Sequence, residues 1–305
     1  MRDAFLDELT KIAKKDPAVF LITGDLGFGV LENFAKELPN QFLNVGVAEQ
    51  NMTMVAAGMA MQGKKVFTYS IGNFPTLRCL EQIRNDVCYH DLDVTIVSIG
   101  GGFSYGQLGM SHHATEDLSI MRAIPNLIVT APGSKEEVRE ITHSLYKTNS
   151  PSYLRLDKSA ADIIGAKDKI TLGEASLIRD GNSVTLISCG GILEELLEAA
   201  EILDKEGLSC RVLSMHTLKP LDGISVSKAA KETGGIITIE ENSTLGGLGG
   251  AVSEYCLESG DIPKFFLRIG LDDQYSSVVG DQHYLRNYYS MDAQRIINSV
   301  RKLVN

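Results

Sequence analysis

No stretch of this 305-residue sequence is long and apolar enough to span a bilayer. Its first residues, MRDAFLDELTKIAKKDP, are charged throughout and lack the apolar core of a secretory signal. Cysteine is sparse. Cys79, Cys88, Cys189, Cys210 and Cys256 are scattered, odd in number and never spaced as CxxC, so neither a zinc site nor a disulfide framework is indicated. That usage fits a reducing, cytoplasmic setting. Positive charge is also in deficit. The formal net charge is -10, which argues against nucleic acid or an anionic membrane as the main partner. No GxGxxG fingerprint is present. GMAMQGKK (58–65) fails as a Walker loop because Lys65 stands where a hydroxyl would hold magnesium, and because its glycines end a helix instead of joining a strand to one. No internal repeat or low-complexity segment occurs.

What is there is an ordinary globular composition, 44% hydrophobic and 22% charged, in a chain long enough for two domains. Short Val- and Ile-rich runs alternate with helical patterns. VFLIT (19–23) precedes LENFAKEL (31–38), and VFTYS (66–70) precedes TLRCLEQIRNDV (76–87). VTIVSIG (94–100) leads into a glycine-rich loop and a helical stretch over 115–123; LIVTAP (127–132) precedes SKEEVREITHSLYK (134–147), and YLRL (153–156) closes the series. The alternation restarts at SVTLIS (183–188) and runs to KFFLRIG (264–270) before a mostly helical tail. Strands buried on both faces and separated by helices predict an α/β protein of two consecutive domains, each a mainly parallel sheet flanked by helices. The boundaries expected are 1–165 for the first domain, 166–180 for a linker that includes a strand crossing between the domains, and 181–305 for the second.

The chemistry concentrates in NVGVAEQNM (44–52). Its one acid, Glu49, opens a segment with no other charge until Lys64. A first-turn acid is favoured by the helix dipole, which suffices as a structural explanation. An acid held against apolar surface can also share or donate a proton near neutrality.

NVGVAEQN followed by MTMVAAGMAMQGKKVF resembles the pyrimidine-binding domain of thiamine-diphosphate enzymes of the transketolase type. The resemblance continues through NFPTLRCLEQIRND (73–86), GMSHHATEDLSIMRAIPNLIVTAP (109–132) and PSYLRL (151–156). MHTLKPLD (215–222) and IEENSTLGGLGGAVSE (239–254) look like the same family's C-terminal domain, so almost the whole chain is covered. In that family the glutamate matching Glu49 contacts N1′ of the aminopyrimidine and favours the tautomer whose 4′-imino group takes the thiazolium C2 proton. The resemblance implies that Phe74 backs the aminopyrimidine, that Ile71 stands where a second aromatic is usual, and that Asp25 lies near the thiazolium. It places His112 facing substrate, with His113, in place of a usual glutamine, as a second substrate-binding residue, and it puts Arg2 and Lys158, also as substrate-binding residues, where phosphate-binding arginines fall. Each residue also has a plain structural explanation: a turn acid, a core ring, a loop histidine or a solvated charge.

Some polar groups of sugar-phosphate transketolases are replaced. Gly100 and Leu108 stand where a histidine and an aspartate are usual, and Gly29 lies near the place of a phosphate-contacting serine. Such losses change specificity. The aromatic loop GGGFSYGQLGMSHH is expected to accept a larger, differently substituted or non-phosphorylated substrate. GD occurs only in GDL, GDI and GDQ, so the GDG motif that holds Mg2+ and diphosphate in this family is missing, and no metal ligand is assigned to this chain. The chain also begins directly at the pyrimidine-domain start. The resemblance therefore points to the C-terminal half of a split transketolase, with Mg2+ ligands on an N-terminal-half partner subunit and an α2β2 assembly. Small carbohydrates would be its substrates, and a two-carbon ketol unit would pass from a ketose-like donor to an aldehyde acceptor. The alternatives are the β subunit of a 2-oxo acid dehydrogenase E1 component and a catalytically inactive relative. His216 and His283 receive no catalytic role, and the second domain none beyond packing and dimerisation.

Overall fold

The computed structural model describes residues 1–162 and 169–304. The strands, in chain order, are β1 (Val19–Thr23), β2 (Phe42–Asn44), β3 (Lys65–Ile71), β4 (Val94–Ile99), β5 (Ile128–Thr130), β6 (Ser152–Leu156), β7 (Ser176–Arg179), β8 (Val184–Ser188), β9 (Cys210–Ser214), β10 (Thr217–Lys219), β11 (Ile236–Ser243) and β12 (Phe266–Leu271). They form a seven-stranded sheet of order β10-β5-β6-β4-β3-β1-β2 and a five-stranded sheet of order β12-β11-β8-β9-β7. All pairings are parallel except β10 with β5 and β7 with β9. Every residue of β4, β6 and β8 is buried, as strands covered by helices on both faces require. The predicted α/β architecture is the observed one.

The junction differs from the expectation. Residues 176–179 fall inside the predicted linker yet form edge strand β7, antiparallel to β9. Ser176–Arg179 alternates too little to stand out alone; its pairing comes from β9. The crossing strand is β10, which lies in the predicted second domain but extends the first sheet beside β5. Residues 163–168, which end the predicted first domain and begin the predicted linker, lie outside the described residues. One apolar cluster joins Met121, Val129 and Ala131 of the first sheet's side to Ile187, Leu213 and Leu248 of the second. The domains are thus welded by shared core as well as by β10. No helix among the described residues is long and apolar enough to cross a membrane.

TLRCLEQIRNDV, expected as one helix, is a 3₁₀ turn (Leu77–Cys79), a short α turn (Leu80–Gln82) and a π turn (Ile83–Cys88). Such irregular winding is common at functional sites, and here it follows directly on Phe74.

Candidate active site

Glu49 begins the helix Glu49–Met61, whose Met52, Thr53, Ala56 and Ala57 are buried. The small residues let this helix lie close to the sheet. Ala48 at the N-cap has no side chain to cap it. The entry turn is held instead by Asn44, whose Oδ1 accepts from Gly46 N at 3.1 Å and from Asp25 N at 2.9 Å. Gly24 admits Glu49 to the end of β1: a Cβ on Gly24 would lie 3.7 Å from Glu49 Cγ and 3.1 Å from the Gly46 carbonyl oxygen. The Glu49 side chain is 5% exposed, and its Oε2 accepts from Arg78 Nη1 at 2.7 Å.

The Arg78 guanidinium also lies over the Phe74 ring, 4.6 Å from its centroid, a cation–π contact. Phe74 N–H donates to the Ile71 carbonyl at 2.8 Å, which turns the chain sharply after β3. Phe74 also meets the His112 ring edge-on at 5.3 Å. Glu49, Phe74 and His112 are therefore one contiguous set, with Ile71 at the turn that leads into Phe74. Asp25 sits at the neighbouring strand end, exposed, with φ +56°. Its Oδ1 accepts from Asn44 Nδ2 at 3.2 Å, a local bond of the kind that lets aspartate hold this left-handed conformation. All these positions follow the C-terminal ends of parallel strands, where open α/β sheets bind ligands.

Arg2 and Lys158 form a second group. Lys158 Nζ lies 4.1 Å from the centroid of the Tyr105 ring. Burial, then the nearby charge of Arg2, lowers the Lys158 pKa. Burial likewise lowers the Met1 amine and raises the Tyr105 phenol. Tyr105 also fills the space beside Gly100, where φ is +87° and an added Cβ would collide with the ring. The ring of Tyr105 thus occupies the space that a side chain at position 100 would take.

His113 departs from the expectation that it faces substrate. It is 1% exposed, and both ring nitrogens have protein partners. Nε2 donates to the Gly106 carbonyl at 3.1 Å, and Nδ1 is 2.7 Å from Ser276 Oγ. A carbonyl only accepts, so Nε2 carries the proton and Nδ1 accepts from the serine. The aromatic loop also behaves differently from its expected substrate role. Phe103 is fully buried and stacks on Tyr289 of the second domain at 5.4 Å. The glycines before it make room for buried charge. A Cβ on Gly101 would collide with Arg155 Nε, and one on Gly102 with Glu241 Oε2.

Sequence reasoning passed over Arg78, although it was the lone cation between Lys65 and Arg84, four residues past Phe74. It also missed Asn73, whose Nδ2 donates to the His113 carbonyl at 2.7 Å, and Ser276, which nothing in the local pattern distinguishes. A cavity of about 470 Å³ adjoins the set, walled by Leu77 and Met110 on one side and by Asp272 and Tyr275 of the second domain on the other.

Both halves of the chain match known families: residues 1–162 the transketolase pyrimidine binding domain, and residues 173–296 the transketolase C-terminal domain. The chain belongs to the transketolase family, whose members depend on thiamine diphosphate. One subunit of the apulose-4-phosphate transketolase of Phocaeicola vulgatus is 35% identical over 306 residues, 99% of this chain and 97% of the relative. The 6-deoxy-6-sulfo-D-fructose transketolase subunit SqwH of a Clostridium species is 35% identical over 305 residues, 99% of this chain and 94% of the relative. Among solved structures, a split gene transketolase described as an inactive beta4 tetramer superposes with a TM-score of 0.89 at 33% identity, covering 99% of this chain and 97% of that one.

The residues present fit the aminopyrimidine end of thiamine diphosphate. A planar guanidinium already bridges the Glu49 carboxylate and the Phe74 face. A flat heterocycle with a protonatable ring nitrogen makes the same two kinds of contact.

Proposed function

We propose that this chain is one subunit of a split, thiamine-diphosphate-dependent transketolase. It moves a two-carbon ketol unit from a ketose-like donor to an aldehyde acceptor, and it works with a partner subunit that supplies the diphosphate and Mg2+ site in an α2β2 assembly. The observation that carries this is the Glu49–Arg78–Phe74–His112 set, placed at the strand ends of a pyrimidine-domain fold. The named subunits that match nearly end to end support the partner.

When bound, the cofactor supplies the carbon nucleophile and the electron sink for cleaving and forming the ketol bond. This chain's residues prepare it. Glu49 holds a proton at the ring nitrogen in a water-poor niche, since only 5% of its side chain is exposed. Phe74 presents a flat face to the ring, and Ile71 and Asp25 flank it. In the chain without cofactor, Arg78 keeps the acid and the aromatic ring in place, and on loading it exchanges those contacts for the ring's. His112 faces the reacting carbonyl from beside Phe74 and can donate to its oxygen as charge develops there. Arg2 and Lys158 with Tyr105 offer an anion site for the far end of the substrate, phosphate or sulfonate. The setting is cytoplasmic carbohydrate metabolism.

The test is reconstitution. The chain, co-purified with a candidate N-terminal-half subunit, is supplied with thiamine diphosphate, Mg2+, an aldehyde acceptor, and apulose 4-phosphate or 6-deoxy-6-sulfo-D-fructose as donor. Ketol transfer without release of carbon dioxide supports the proposal. Carbon dioxide release with reduction of a lipoyl group would assign the chain to the 2-oxo acid dehydrogenases instead.

A further inference from the structure

The second domain reaches the loop beside the candidate site along a seam, from β11 and from the segment after β12. Segment 272–289 follows β12 and crosses to the loop 100–113 of the first domain. Ser276 Oγ is 2.7 Å from His113 Nδ1, and Gly280 N donates to the Gly106 carbonyl at 3.4 Å. Tyr289 stacks on Phe103 with an interplanar angle of 16°. Gln282 Nε2 donates to Ser104 Oγ of that loop at 3.5 Å. The approach is close enough that a side chain on Gly106 would strike the Gly280 carbonyl oxygen at 2.5 Å.

His113 is the hub of this seam. Its ring is gripped by Ser276, by the Gly106 carbonyl and, edge-on at 5.4 Å, by Phe103. Its own carbonyl accepts from Asn73, the residue before Phe74. Its neighbour in the chain is His112, whose ring abuts Phe74. A continuous path therefore runs from Ser276 through His113 to both His112 and Phe74. Elsewhere His112 is held lightly: its N–H donates to the Gly109 carbonyl in a single 3₁₀ turn, and its Nδ1 meets the exposed Ser111 hydroxyl at 3.0 Å.

We infer that Ser276 and His113 are positioning residues through which the second domain sets the location of His112 against the cofactor niche. The inference rests on the reading of His112 as the substrate-facing group. It gives the second domain a part in substrate selection, because a change in segment 272–289 shifts the loop without touching Glu49. The geometry also limits the substitute. Position 113 needs a side chain that donates to the Gly106 carbonyl and accepts from the serine at once, which a neutral imidazole does across its ring.

The test uses the assembled two-subunit complex with Ser276→Ala and Ser276→Thr. Hydrogen exchange of the amides of residues 109–113 is followed without substrate, and KM and kcat are measured with whichever of the two ketoses turns over. Ser276→Ala removes one hydrogen bond, so loop exchange and donor KM should each rise about tenfold, with kcat falling less. Thiamine-diphosphate affinity should stay the same, and Ser276→Thr, which keeps the hydroxyl, should restore both values. Unchanged loop exchange would overturn the inference. Faster exchange with unaltered KM, or a loss in thermal stability alone, would also overturn it, since the contact would then be only structural. Should the wild-type complex turn over neither ketose, the proposed function fails, and the exchange measurement still decides whether Ser276 holds the loop.

Discussion

Arg155 and Arg78 both grip carboxylates, and they do so in opposite ways. Arg155 is 1% exposed and fully engaged. Its Nε donates to Asp157 at 3.1 Å, Nη1 to Asp117 at 3.2 Å and Nη2 to the Glu241 carbonyl at 3.0 Å. Burial alone would lower its pKa, but Asp117 and Asp157 beside it carry it well above the usual value. Glu241 in turn receives Arg286, which also binds the buried Glu195 at 3.3 Å and the partly exposed Glu194, so these charges form one network across the domains. Arg78 has a single carboxylate partner among the described residues and a side chain 47% exposed. A saturated pair holds structure, whereas a half-open pair beside an aromatic face has room to exchange its partner for a ligand. The number of unspent contacts separates the two, more than the strength of either pair.

Substitutions at the two pairs should give different kinds of failure. Glu49→Gln should lower turnover of the assembled complex by roughly 10²–10⁴-fold, the range for a lost proton-transfer group, while circular dichroism shows an unchanged fold. Arg155→Leu should instead destabilise the chain by about 3–5 kcal/mol in urea unfolding, because it strands buried carboxylates between the domains. If both variants lost stability alike, the contrast would collapse.

A third carboxylate sharpens the contrast through pH. Glu240 is buried and accepts from the Leu248 and Gly249 amides at 2.7 and 2.8 Å, where helix Leu248–Ser259 begins. Burial raises its pKa from 4.5 to about 7 in spite of those bonds. The folded state thus keeps a proton between those values that the unfolded chain has lost. The contribution of Glu240 to stability is therefore full at or below pH 4.5 and is lost as pH rises towards 7. The decline is on the order of 3 kcal/mol and should be absent from Glu240→Gln, as unfolding at several pH values would show. The smallest expected effect is that of Arg78→Ala. It should cost the lone chain about 1 kcal/mol, as for a half-exposed ion pair, visible as a small fall in melting temperature.

The alternation of buried strands with helices, the helix behind Glu49 and the choice of Glu49, Phe74 and His112 as site candidates follow patterns that sequence carries well: buried β runs, glycine stops and a long family resemblance. What was illegible depends on contacts far apart in the chain. Thr217–Lys219 gives no sign that it leaves its own domain to pair with β5. The GGGF run reads as an open, ligand-accepting loop, yet its glycines make space for Arg155 and Glu241, 54 and 139 residues further on by numbering. His113 reads like His112, and its inward ring depends on Ser276, the Gly106 carbonyl and Phe103 together. Arg78 was readable as a lone cation, but its two roles appear only once the irregular turns after Thr76 have placed it over Phe74.

The most direct test of the central claim is a calorimetric titration of thiamine diphosphate with Mg2+ into this chain alone, repeated on the chain assembled with its partner subunit. The account predicts saturable binding in the assembly and little heat from the lone chain, which holds only the aminopyrimidine end. Tight binding to the lone chain would contradict it, because the chain would then contain a complete diphosphate site of its own.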